Sequence, residues 1–324
     1  MHRRTLLRSA AATALIAASR TGLAQDRGSG VVMRIVVPYA AGGQTDMMAR
    51  VLAPLLAKAL DRNVIVENRP GAAALIGTRA VQTAAPDGNT LLFHNSGFVA
   101  LPLLTRGANY DPVKDFTPVA TVGNGPNFLI VNGSVPARTV PELIAYAKTQ
   151  PEGIESANAG LGSAGHLATQ LFAKRAGIKI VHVPYKGSAE TANALISGEV
   201  KMQMTSPTEV LTQQAKAGKV RFLAVSSRER TVLAPHLPTI GETLPGFVND
   251  GWFGLIATGG SPAAQVKQTA DAIAKAMADP EVRERFLQLY IDPKVMDSAQ
   301  FAAAMQESIE FWKSVITELG IQPT

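Results

Sequence analysis

Alternating strand and helix signals, two glycine-rich turns each set between a strand and a helix, and a length beyond that of one hydrophobic core predict an α/β protein folded as two lobes. The chain has 324 residues, and above roughly 250–300 residues single cores give way to separate domains. Hydrophobic residues make up 46% and charged residues 17%, a globular balance that argues against disorder.

Residues 1–24 read as an export signal. Arg3, Arg4 and Arg8 form a positive start, an apolar stretch runs from Ala10 to Ala18, and Gly22-Leu23-Ala24-Gln25 offers small residues for cleavage near Ala24-Gln25. The run from His2 to Arg8 also resembles a twin-arginine signal. The apolar run is too short for a membrane anchor, and no later segment reaches the ~18 apolar residues a membrane helix needs. Removing the signal takes away four arginines and no acid, which leaves 27 basic against 25 acidic residues, a net charge of about +2 instead of +6. With no dense Lys/Arg patch, nucleic acid is not an expected partner. The absence of cysteine excludes disulfides, thiol nucleophiles, Cys-ligated zinc and a lipid-anchoring cysteine.

The first strand is Arg34 to Pro38, followed by a helix from about Thr45 to Leu60 in which Pro54 is expected to introduce a kink. Val64 to Glu67 is a strand, Gly71 to Ala85 a small-residue helix stopped by the Pro86-Asp87-Gly88 turn, and Thr90 to Phe93 a third strand. Phe128 to Val131 is a strand taken as the first crossing between lobes. Val140 to Thr149 is a helix with Pro141 in its first turn, and Ile154 to Asn158 is extended. His166 to Ala176 is a helix capped by Gly177, Lys179 to Val183 a strand, Thr191 to Ser197 a short helix and Val220 to Val225 a strand. Trp252 to Ile256 is the return crossing, and the tail is helical over Pro262 to Met277, Pro280 to Leu289 and Ser298 to Leu319. The expected organisation is residues 25–125 with 249–324 as one lobe and 126–248 as the other, with hinge crossings near 126–131 and 249–256.

The two glycine turns share one design. In Pro38-Tyr39-Ala40-Ala41-Gly42-Gly43-Gln44-Thr45-Asp46 and in Asn158-Ala159-Gly160-Leu161-Gly162-Ser163-Ala164-Gly165-His166, glycines precede a helix start. Amides there have no intrahelical partner and the helix dipole adds positive potential, so each turn suits a carboxylate or phosphate. Singly, each is also what an ordinary strand-to-helix connection needs. Facing across a cleft, two such helix starts make an anion clamp. Gly160 to Gly165 matches the dinucleotide fingerprint, but Pro184-Tyr185-Lys186-Gly187 stands where the ribose-holding acid belongs. A nucleophile elbow at Ser163 would need glycine where Leu161 stands. His94, His166, His182 and His236 have no metal-ligand spacing. His166, at its helix start, either donates to an anion or caps the helix. Asp46 either complements the helix dipole or holds a ligand amine.

Further marks recur along the chain: Val66-Glu67-Asn68-Arg69-Pro70-Gly71-Ala72, Pro86-Asp87-Gly88, Asp115-Phe116-Thr117-Pro118-Val119, Val183-Pro184-Tyr185-Lys186-Gly187 and Trp252-Phe253-Gly254-Leu255. Together with the two turns, and in this order, they resemble the Bug or TctC-type solute receptors of tripartite tricarboxylate transporters, from about Arg34 to Leu319. The resemblance implies a two-lobed periplasmic-binding-protein (Venus-flytrap) fold, type II-like, each lobe a mixed sheet flanked by helices. It also implies a periplasmic, non-enzymatic receptor without cofactor or metal. Such a receptor, expected to be a monomer, passes a di- or tricarboxylate, acidic amino acid or aromatic acid to permease subunits. The ligand carboxylate is then expected at Ala41, Gly42, Gly43, Gly162 and Ser163, with Tyr39, Thr45, Asp46, His166, Asn95 and Ser96 beside it. Where the family often carries an acid after Gly198-Val200, this chain has Lys201, which alters ligand choice only if it approaches the cleft. Two rival readings are a ligand sensor coupled to a membrane kinase and an exported hydrolase using Ser163 and His166.

Overall fold

The computed structural model describes residues 31–158, 163–185 and 188–322. The signal segment, Gly162 and Lys186 therefore lie outside the described residues. Four strands open the chain: β1 (Val32–Val37), β2 (Asn63–Asn68), β3 (Thr90–Asn95) and β4 (Phe116–Asn124). Five follow: β5 (Phe128–Asn132), β6 (Ile154–Asn158), β7 (Ile180–Pro184), β8 (Met202–Thr205) and β9 (Val220–Val225). The last, β10 (Trp252–Thr258), returns to the first group. The helices are α1 (Gln44–Leu60), α2 (Leu75–Gln82), α3 (Gly97–Leu104), α4 (Val140–Lys148), α5 (Ala164–Ala176), α6 (Ser188–Ser197), α7 (Glu209–Lys216), α8 (Ala263–Met277), α9 (Pro280–Gln288) and α10 (Ser298–Leu319).

Two five-stranded sheets result, ordered β2-β1-β3-β10-β4 and β7-β6-β8-β5-β9. In the first, β1 runs parallel to β2 and β3 while β10 is antiparallel to β3 and β4. The second repeats the plan, with β6 parallel to β7 and β8 and with β5 antiparallel to β8 and β9. The chain thus folds as two lobes, each a mixed sheet flanked by helices. β5 and β10 are buried along their whole lengths, as central strands covered on both faces must be.

Side-chain caps set several helix starts. Thr139, Ser163, Thr208 and Asp279 each accept a backbone N–H of their helix, and Asp297 forms a capping box with Gln300. Helix α1 continues through Pro54 to its C-cap, the left-handed Asp61. Helix α10 buries Phe301, Met305, Ile309, Trp312, Val315 and Ile316, a stripe at three- and four-residue spacing. It packs against α3 and β4 in the first lobe and α5 in the second, so the C-terminal helix touches both.

The structure departs from the sequence expectation after β2. Gly71 to Ala85 is not one helix, because Ala72, Ala73 and Ala74 take left-handed φ of 47°, 53° and 79°, and α2 begins only at Leu75. Gly71 is required here: at φ 126° an added Cβ would sit 2.5 Å from Cδ1 of Ile76. Strands β4 and β8 and helices α3 and α7 are additional to the elements expected from the sequence.

Each left-handed alanine costs about 1–2 kcal/mol that glycine would not, against an entropic loss of about 0.4–1 kcal/mol in the unfolded chain. Ala73→Gly should therefore stabilise the protein by about 0.5–1 kcal/mol. A lower thermal midpoint in the variant would show that Ala73 sits unstrained.

Candidate functional site

Residues that follow β1 and β6 and residues at the end of β3 come together in one region. After β1 the chain passes through Tyr39 and the exposed Ala40 to Gly43 before α1 begins. Gly42 needs its φ of 81° rather than space, since an added Cβ would meet nothing within 4 Å. The buried Asp46 ties this turn to its helix. Its Oδ2 accepts from the Gly42 N–H at 2.8 Å and from Arg50 Nε at 2.9 Å, and Oδ1 accepts from Asn68 Nδ2 at 2.9 Å. Burial pulls the Asp46 carboxyl upward, but hydrogen bonds from Arg50, Gly42 and Asn68 outweigh it and hold the carboxyl below the usual range. Both oxygens are engaged inside the protein, which is the dipole-complementing role rather than an open amine site.

At the end of β3, Asn95 closes a turn. Its Oδ1 accepts from the Gly97 N–H at 2.9 Å and from the Tyr39 hydroxyl at 3.3 Å. The Tyr39 ring meets His94 edge-on at 5.3 Å, and His94 leans on Phe98 at 5.6 Å. Burial pushes the Tyr39 phenol above its ordinary value and lowers His94 to about 4, so both are neutral near pH 7. Ser96 is buried with its N–H on the Trp252 carbonyl at 3.0 Å.

In the second lobe, Ser163 is the N-cap of α5, its Oγ accepting the His166 N–H at 3.3 Å. The bond between these two residues is thus a helix cap, and the hydroxyl proton of Ser163 stays available for an acceptor outside the helix. Gly165 lets α5 close on β8, because a Cβ there would collide with the carbonyl oxygen of Met204. The His166 imidazole lies 2.9 Å from Gln170 through Nε2 and edge-on to His182 at 4.6 Å. Burial, then the neighbouring His182, lowers His166 to about 4, and burial lowers His182 as well.

A cavity of about 690 Å³ joins these parts. Of the residues singled out in the sequence, Tyr39, Asn95, Ser163 and His166 line it. Ala41, Gly42 and Gly43 are exposed and not on its lining, and Thr45, Asp46 and Ser96 are buried off its wall. Sequence reasoning missed Ala73, Leu101, Leu104, Gln170 and Trp312, all on the lining, and gave His182, also on it, no site role. Gln170 was within reach as the residue four beyond His166 on one helix face; Trp312 carries no local signal. Lys201 precedes β8 at the end remote from the cavity and caps the Gly198 carbonyl at 3.0 Å, so nothing about the ligand follows from it.

Comparison with known proteins agrees with this fold. The model of the tripartite tricarboxylate transporter family receptor matches residues 48–321. Protein BugT of Bordetella pertussis is 34% identical over 292 residues, 89% of either chain. The structure of the periplasmic binding protein BugD is 33% identical with a TM-score of 0.77, covering 90% of this chain and 99% of its own. That of Rpa4515 of R. palustris with adipate is 32% identical with a TM-score of 0.80, covering 90% and 98%.

Two predictions follow from the charges. Asp46→Ala removes the acceptor of the Gly42 N–H and one bond each from Arg50 and Asn68, and should cost about 1–3 kcal/mol in thermal or urea unfolding; an unchanged midpoint would remove Asp46 from the turn's support. His166 has an ordinary value near 6.5 in the unfolded chain but about 4 when folded. Its contribution to stability is complete above about pH 6.5 and is lost as pH falls toward about 4. Burial raises Asp250 and Asp292, which act in the opposite sense at the acid end. The readout is therefore a difference: between about pH 7 and about pH 4.5, His166→Asn should lose less stability than the parent. Parallel profiles would show that His166 already exchanges its proton freely.

Proposed function

The chain belongs to the tripartite tricarboxylate transporter receptor family, and from that membership we propose that it is an extracytoplasmic receptor that closes its two lobes on a small carboxylate and presents it to permease subunits. It catalyses nothing in this reading, and it works in the periplasm after cleavage near Ala24-Gln25. The observation that carries the proposal is the cavity itself, which is lined by Tyr39 and Asn95 at strand ends of one lobe and by the serine-capped helix start of the other. A helix N-terminus presents first-turn N–H groups that lack intrahelical partners, a setting that favours an anion. Hydrogen bonds to a charged group contribute about 1.5–3 kcal/mol each, so four or five of them support micromolar binding, about 8.2 kcal/mol, after ordering costs.

The crossings support closure. We place one lobe at 25–125 plus 249–324 and the other at 126–248. Gly125 N–H donates to Gly251 O at 2.8 Å, and Asn127 and Ser226 exchange bonds of 2.9 and 2.8 Å. Ser226 Oγ donates onward to Asn249 O at 2.8 Å. The two crossings are thereby tied side by side, as a hinge requires. Away from them, the Tyr290 hydroxyl reaches across to Thr212 Oγ1 at 2.8 Å, a contact that closing brings together.

Ser163→Asp tests the clamp without removing the cap, since aspartate caps helices as well as serine does. The variant should keep its unfolding stability within about 1 kcal/mol of the parent and, by calorimetric titration, lose at least tenfold in carboxylate affinity through like-charge repulsion. Parental affinity for the carboxylate would place the anion elsewhere.

A further inference from the structure

We infer that the groove between α1 and α9, on the outside of the molecule, is a docking surface for a second copy of this chain, which binds there about a two-fold axis. Both helices pack into the same core and the cavity described above takes no part, so the inference does not depend on the carboxylate-receptor reading. Helix α1 supplies the first observation. Of its 17 residues only Asp46, Arg50 and Lys58 are charged. One face, with Met48, Leu52, Leu56 and Leu60, is buried in the core. A surface helix then turns polar and charged residues outward. This one turns out a second apolar stripe: Met47, Val51 and Leu55 recur every four residues, with Pro54 beside them. Met47 is 45% exposed, Pro54 is exposed, and Val51 and Leu55 are half-buried. With Val282 of α9 and Leu289 just after it, the stripe walls a groove of about 640 Å³. Apolar surface gathered in one place in this way marks an interaction site.

The charges on α9 say what covers it. Glu281 and Arg285 stand one helical turn apart on the lining of the groove, and both are exposed. Among the described residues neither side chain has a hydrogen-bond or ion-pair partner, and they do not pair with each other. The third charge on the lining, Arg50, is held by Asp46 at 2.9 Å and by Asn68 at 3.0 Å. A surface with one uncommitted acid and one uncommitted base at a fixed spacing is complementary to itself. Two copies of α9 laid antiparallel about a two-fold axis bring Glu281 against the partner's Arg285 and Arg285 against the partner's Glu281, and the symmetry makes each pair twice. The same approach covers the apolar stripe of α1 on both copies. An acid in the first turn of α9 and a base in its last also suit the helix dipole, but the dipole gives no reason for the uncovered apolar wall beside them. Overall charge does not oppose the contact, since the signal-free chain has 27 basic against 25 acidic residues. A dimer takes the place of the monomer expected from the sequence.

The test is sedimentation velocity of the signal-free protein, with no carboxylate added, from about 1 to about 500 μM, a range that captures weak and moderate interfaces. The protein should pass from monomer to dimer within it. Glu281→Arg and Arg285→Glu each set like charges against each other twice per dimer, and each should weaken association at least tenfold. Combining the two reversals restores both pairs and should return the dissociation constant to within about threefold of the parent. Met47→Gln should weaken the dimer through lost apolar contact. All three residues are exposed, so the thermal midpoints of these variants should match the parent's. A chain that stays monomeric at about 500 μM overturns the inference and leaves the groove to a different protein, such as a permease segment. A dimer that neither single reversal weakens, or that the combined reversal fails to restore, overturns it as well.

Discussion

Each sheet in this molecule is completed by a strand that arrives across a crossing. β5 follows β4 directly but pairs in the other sheet, and β10 follows the second lobe yet inserts between β3 and β4. Both are fully buried and antiparallel to their neighbours. Pulling either lobe away would strip a central strand and expose its ladder, so the crossings are obliged to run together. Their short polar bonds, with Ser226 fully buried at the centre, are what that obligation leaves. The remaining consequence is directional. With the crossings fixed, β1, β3 and β6 present their C-terminal ends to one shared space, the edge at which open α/β sheets place ligands.

This dependence explains which parts of the molecule could be read in the sequence. Turn chemistry is local, so the glycine turn before α1, the Gly177 cap and the proline starts of α4 and α9 were legible. Elements whose identity comes from packing were not. β4 carries Pro118 and Gly123 within its run, and β8 has only four residues. α3 shows no amphipathic period because core covers one side and the cavity's apolar wall occupies the other. The helix expected from Gly71 shortens because three successive alanines hold left-handed backbone, a conformation alanine gives no warning of. In the site, Tyr39, Asn95, Ser163 and His166 were found because they sit in or beside turns. Trp312 was not, because α10 reaches the cavity only through tertiary packing.

The two helix starts at the cavity are not equivalent. The first turn of α1 contains Asp46, buried, ionised and bonded to the turn's own Gly42 N–H. Part of the positive potential at that end is therefore neutralised from within. The first turn of α5 has no acid, and its cap is an uncharged hydroxyl that still has a proton to give. An incoming anion is better met by the second lobe. The first lobe then contributes shape and backbone donors, with Asp46 keeping its exposed turn in register. That division suits a hinged receptor. Were both lobes strongly positive they would repel each other when empty, and closure would be penalised before any ligand arrived. With the charge concentrated on one side, the open form can load the anion there. In the proposed reading the first lobe gains its contacts only on closing, so closure would be driven by the ligand's differential affinity for the closed state.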